Sequence, residues 1–169
     1  MSWSRGFILL VLLTAACGFT PVYGPGGAAE GLRGRILVDA PNDAEGFALV
    51  QRLEERLGRA EAPDYTLSAS IRRGEDGLGV TRDQETTRFQ VKGEVVFSLT
   101  RIADGTVAAS GTVANFTGYS APVFGDARGS VAGNAVTVKS AQEDARRRLM
   151  VILADDIVSR LLVAAPDWR

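Results

Sequence analysis

Three kinds of apolar pattern divide the chain. From Gly6 to Ala16 the apolar residues are continuous, with Arg5 before them and Cys17 after. Further on, apolar and polar residues alternate. Tyr65, Leu67, Ala69 and Ile71 interleave with Thr66, Ser68, Ser70 and Arg72, as in a half-buried strand. Phe89, Val91, Val95, Phe97 and Leu99 share a second such face, opposite Arg88, Gln90, Lys92, Glu94 and Ser98. Two stretches repeat at helical spacing. Phe47, Val50, Leu53 and Leu57 make one stripe, and a longer line slides from Val138 and Ala141 to Leu153, Ile157 and Leu161.

Punctuation between these stretches sets the element order. Arg35–Asp39 reads as a first strand, and Asn42 or Asp43 can cap a helix over about Ala44–Leu57, with Glu45 at capping-box spacing and Gly58 at the end. The glycine-rich stretch Gly74–Gly79 reads as a break, with a tight turn at Asp76-Gly77. Asp104-Gly105 signals a hairpin joining two long strands, Thr86–Ile102 and Thr106–Ala121. In the return strand Val107, Ala109, Val113 and Tyr119 share one parity; Asn115 and Thr117 interrupt it, and Phe116 falls on the other side. A bulge or a docking face explains that equally well. Residues 122–134 read as a loop holding Phe124, and a last helix runs from near Thr137 to about Val163, stopped by Pro166.

The order β-α-β-β-β-α predicts an α+β fold. It is a small two-layer sandwich, with a four-stranded, mainly antiparallel sheet and two helices on one face. The other sheet face must be polar or covered by a partner. The expected division is a signal segment over 1–16, a tether over 17–34 and a single domain over 35–169.

Composition narrows the chemistry. The 169 residues include no histidine and one cysteine. The commonest neutral-pH base and metal ligand are therefore missing, and no internal disulfide can form. No catalytic residues, cofactor or metal site are expected, and the protein is read as a non-enzyme. The Glu54/Glu55 pair lies on the wet flank of its helix. With 19 basic and 20 acidic residues, the chain has no overall positive charge to hold nucleic acid. Arg146, Arg147 and Arg148 form a local basic spot, either a solvated run or a site for phosphate or an anionic lipid sugar.

The apolar run Gly6–Ala16 is shorter than the ~20 residues that a bilayer span requires. With Arg5 in front and small residues behind, it has the layout of a secretory signal. Thr14-Ala15-Ala16-Cys17 resembles a bacterial lipobox, with Thr14 where leucine is usual. The resemblance implies lipid attachment at Cys17, including a palmitate-type acyl chain, and Gly18 favours sorting to the outer membrane.

Four features together resemble the lipopolysaccharide-assembly lipoprotein family LptE, in the form seen in alphaproteobacteria. They are Cys17, the run Gly18-Phe19-Thr20-Pro21-Val22-Tyr23, the element order, and Ala154-Asp155-Asp156-Ile157-Val158-Ser159-Arg160-Leu161. The resemblance implies a lipid-anchored protein on the periplasmic face of the outer membrane. Such a protein plugs and helps assemble a large β-barrel of the LptD type and assists lipopolysaccharide delivery to the cell surface. Arg88, Lys92, Arg146, Arg147, Arg148 and Phe124 are the candidate contacts to lipopolysaccharide or the barrel. The alternative is a lipoprotein subunit of a periplasmic ABC-type lipid transport system.

Overall fold

The structure is a computed structural model; it describes residues 24–27, 29–41, 43–80, 86–121 and 131–168. Cys17, Asn42 and Phe124 lie outside them. Six elements follow in order: β1 (Ile36–Val38), α1 (Ala44–Leu57), β2 (Tyr65–Val80), β3 (Thr86–Arg101), β4 (Val107–Ser120) and α2 (Val131–Trp168). The four strands form one sheet in sequence order. β1 pairs with β2 in parallel, because α1 carries the chain back between them, and the other pairs are antiparallel. This is the α+β sandwich expected from the alternation.

Alternation decides which face is covered. Leu67, Val91, Val95, Phe97, Leu99 and Val113 are buried on one side, beneath the helices. The opposite side carries Ser68, Ser70, Ser110 and Thr112, all exposed. α2 lies across β3 and β4, while α1 lies along α2 and against β1. The helices meet at a charged fork. Arg52 donates through Nε and Nη2 to the two oxygens of Asp155, at 3.1 Å each, and Arg56 Nη1 donates to Oδ1 at 2.6 Å.

Several local expectations change. α1 starts at Asp43, whose Oδ1 accepts the Gly46 N–H at 2.7 Å. It ends at Gly58 (φ 81°), where a Cβ would also stand 2.8 Å from Arg33 Cγ. Its buried stripe is Gly46, Leu49, Leu53 and Leu57. Phe47, expected inside, is 62% exposed, because Gly46 and Leu49 take the buried positions at the start of the stripe, Gly46 close against Pro41. The break expected at Gly74–Gly79 does not occur. β2 continues through it, and Asp76 and Gly77 pair with Gln90 and Phe89 instead of turning; the register shifts only after Gly77. Ladder pairing with β3 overrides the weak strand propensity of glycine. Helix α2 starts at Val131, earlier than Thr137, and keeps Pro166 inside its last turn. Ala29 and Leu32 are buried in the core ahead of β1.

Candidate functional site

The sheet's two faces give this protein two different polar surfaces. On the open face, Arg72 Nη1 donates to Glu94 Oε1 at 3.1 Å, and Lys92 pairs with Asp76. Beside Lys92, opposite it on β4, stands Phe116, 61% exposed. β4 has no register shift here; its single irregularity lies between Leu99 and Thr100 of β3. Phe116 is therefore outward in a regular strand, and Asn115 is inward, where its Nδ2 donates to Asp156 Oδ2 of α2 at 3.1 Å. Arg88 is exposed opposite Ser120 and has no ion pair among the described residues. The rest of the open face is mainly serine and threonine hydroxyls, with Val96 exposed among them. Most of this surface is polar, and all its charges but Arg88 are paired across strands.

On the covered face, beyond the apolar core, lies a polar clasp. β2 brings Arg73 and Glu75 inward, in phase with Tyr65, Leu67, Ala69 and Ile71. Glu75 Oε1 accepts from Tyr119 Oη of β4 at 2.7 Å, and Oε2 accepts from Gln142 Nε2 at 2.8 Å and from Arg146 Nη2 at 3.4 Å. Arg146 also faces Glu45 of α1 at 3.6 Å. Arg73 donates to Glu45 at 2.5 Å and to the capping Asp43 at 2.8 Å. The clasp thus ties both helices to β2 and β4, and the Tyr119 ring stacks on Phe89 at 5.1 Å. Burial by itself pushes the Glu75 carboxyl up. The hydrogen bonds from Tyr119, Gln142 and Arg146 outweigh it and hold Glu75 below the usual range. Burial, followed by the hydrogen bond to Glu75 and then the Glu75 charge, pushes the Tyr119 phenol up to about 12.

The candidate contact residues are accordingly split. Arg88 and Lys92 belong to the open face, Lys92 already paired. Arg146 is held between two carboxylates of the clasp. Arg148 pairs with Asp144 and donates to the Gly118 carbonyl at 3.2 Å, at the β4 edge. Arg147 alone of the three is exposed with no ion pair among the described residues. The triple arginine is thus not one basic spot. Among the described residues no acidic cluster is arranged to hold a metal, and no helix is long and apolar enough to cross a membrane.

The comparisons decide what this scaffold is. The model of the family described as LptE, lipopolysaccharide-assembly, matches residues 34–161, from just before β1 into the last turns of α2. The chain belongs to the LptE family. Members of this family serve lipopolysaccharide assembly and are not enzymes. No curated protein sequence matches the chain. Among solved structures, a candidate lipoprotein from Caulobacter crescentus CB15 is similar at TM-score 0.62 and 20% identity, covering 85% of this chain and 98% of that one. The rare lipoprotein B from Shewanella oneidensis follows at TM-score 0.51 and 12% identity, covering 78% and 95%. A minor lipoprotein from Acinetobacter baumannii has TM-score 0.51 and 14% identity, covering 76% and 88%. At these identities the structures share the LptE-type fold, and nothing finer is carried from them.

Proposed function

We propose that this LptE-family chain, of the alphaproteobacterial type, is held by lipid on Cys17 at the periplasmic face of the outer membrane. There it plugs and helps assemble an LptD-like β-barrel and assists lipopolysaccharide delivery. The proposed mature protein begins at Cys17 after removal of residues 1–16, with 17–34 leading into one domain over 35–169. The observation that carries the reading is the family match over residues 34–161. The open sheet face supports it. A barrel lumen is polar, so a plug must present a surface of hydroxyls and balanced charges, not an apolar one. Thr66, Ser68, Ser98 and Thr112, with the Arg72–Glu94 and Lys92–Asp76 pairs, form such a surface.

A single acyl chain holds a protein only marginally and two or more make the attachment stable, each buried CH₂ contributing ~0.8 kcal/mol. The test is purification of the lipidated chain from detergent-solubilised outer membranes. A large β-barrel protein is expected to accompany it, and Cys17→Ala is expected to accumulate as an unprocessed precursor. Recovery of the chain with an inner-membrane permease and no barrel would overturn the reading.

A further inference from the structure

β4 closes the sheet, and its 14 residues include no charged residue and no proline. Edge strands of this length are ordinarily guarded by charges, proline, bulges or a covering segment, because their free N–H and C=O groups are templates for another strand. Two hydrogen bonds identify which groups point outward. The Phe116 N–H donates to Asn115 Oδ1 at 2.9 Å, and the Gly118 carbonyl accepts from Arg148 at 3.2 Å, so neither is turned to β3. The ladder is regular from Ala109 to Ser120. Antiparallel alternation therefore turns the N–H and C=O of Ser110, Thr112 and Ala114 outward as well. Among the described residues these groups have no partner. At Phe116 and Gly118 one outward group each is met by a side chain, whereas at Ser110, Thr112 and Ala114 none is.

The open half borders a groove of about 410 Å³ between β4 and the end of α2, lined by Phe97, Ala109, Ser110, Arg160, Leu161 and Val163. Gly111 follows Ser110 on the same strand, opposite Phe97. A Cβ there would stand 3.1 Å from Phe97 Cζ, so the missing side chain lets the Phe97 ring underlie the groove. Val163 on the helix side is 82% exposed. Arg160 is exposed at the same place and has no ion pair among the described residues. A free backbone edge beside a helix, with an apolar floor and one unpaired cation, selects its occupant. The backbone groups require an extended polypeptide. The groove requires apolar side chains at alternate positions, and Arg160 favours an acidic residue at one end.

We propose that Ser110–Ala114 of β4 and the groove beside α2 take up an extended segment of the β-rich partner as a fifth strand, apolar side chains toward α2 and polar ones in line with the open face. This rests on the reading of the partner as a β-barrel, whose strands of roughly ten residues alternate in this way. It gives the assembly role a mechanism, since an unpaired barrel strand is held extended until its own neighbour replaces β4.

The test uses the full-length lipidated chain in detergent micelles. The probe is a synthetic peptide of about ten residues, alternating valine and threonine with aspartate at one end. Amide exchange at Ser110, Thr112 and Ala114 is expected to slow about tenfold with the peptide, while Val113, turned to β3, is unchanged. Thr112→Pro removes one outward N–H and spares the β3–β4 ladder; Thr112→Lys guards the same edge without touching the backbone. Both are expected to abolish the protection. Unchanged exchange, equal binding by both variants, or a concentration-dependent dimer that alone protects these amides would overturn the proposal. So would protection already complete without peptide, which would mean that another part of the chain covers the edge. Barrel co-purification is read separately. If the barrel is retained while these amides stay unprotected in the complex, the docking edge is wrong and the barrel reading stands. If no barrel is found, the barrel reading fails and the peptide still reports on the edge.

Discussion

Gly93 of β3 lies directly beneath Leu153 of α2. A Cβ added at Gly93 would stand 2.9 Å from Leu153 Cδ1 and 3.0 Å from Leu149 Cδ2. The helix can lie this close to the sheet only because one strand position has no side chain. Gly93→Ala should therefore destabilise the fold by about 1–3 kcal/mol, the usual cost of overpacking, and Gly93→Val by more. Urea unfolding should show the midpoint falling with the slope unchanged; an unchanged midpoint would mean that α2 shifts freely over β3.

The α1–α2 fork depends on one carboxylate. Asp155 accepts from Arg52 and Arg56, and all three side chains are about one-third exposed. Water screens such a pair, so Asp155→Ala should cost about 1 kcal/mol. Asp155→Asn retains one acceptor oxygen and should cost less. Thermal unfolding of the two variants at low and high salt checks this, and the difference between wild type and Asp155→Ala should shrink as salt rises.

The clasp should make stability fall at both ends of the pH range. Glu75 and Asp43 are held below the ordinary carboxylate range in the folded state. Their contribution is present above the unfolded value and is lost as pH falls through the folded one, so unfolding should become easier from about pH 4 downward. Tyr119 behaves oppositely. Its folded value of about 12 exceeds the ordinary 10.0, so its contribution is whole below 10.0 and lost as pH rises toward about 12. Glu75→Gln should flatten the acid limb and Tyr119→Phe the alkaline limb, as read from denaturation midpoints across pH. Parallel curves for wild type and variants would exclude the clasp as their source.

Trp168 closes the opposite end. Its ring meets Tyr65 edge-on with centroids 5.2 Å apart, and its carbonyl accepts from Arg101 Nη2 at 3.1 Å. Its indole Nε1 is buried without a partner among the described residues. Trp168→Ala should cost about 3–5 kcal/mol through lost packing. Trp168→Phe removes the unsatisfied donor as well as some area, so it should cost much less. Calorimetry should separate the two; equal losses would show that the indole N–H is satisfied after all.

The architecture was legible because alternation and helical spacing are long-range averages. The alternation in Phe89–Leu99 and the Asp104-Gly105 turn each correspond to an observed element. The clasp was not legible. Arg73 and Glu75 continue the inward phase of Tyr65–Ile71, which was the available signal, but Gly74 and Gly77 suggested that the strand had ended. The same misreading left Arg146 as one of three equivalent arginines in a basic spot, because its partner Glu75 was not recognised as part of a strand. Phe47 was misplaced for a different reason. Adjacent helical positions are only about 100° apart, so Phe47 and Gly46 compete for one face. The close approach of Pro41, whose Cβ would stand 3.3 Å from a Cβ on Gly46, and not local spacing, selects the smaller residue.

The parallel β1–β2 pair also gives the molecule a direction. Ile36 lies beside Tyr65, Tyr65 lies beside Arg101, and Trp168 packs on Tyr65. The chain therefore enters the domain at the pole where α2 ends and β3 turns into β4. Sixteen residues of β3 then carry the sheet about 50 Å from that pole. If the lipid is on Cys17, a few positions before Gly24, this pole is the foot and the rest of the sheet is a mast standing off the bilayer. Leverage on a mast is greatest toward its tip. In its upper part Glu75 and Tyr119 brace β2 against β4, and Arg146 stays them to both helices, so the mast is guyed by hydrogen bonds where the apolar core thins out.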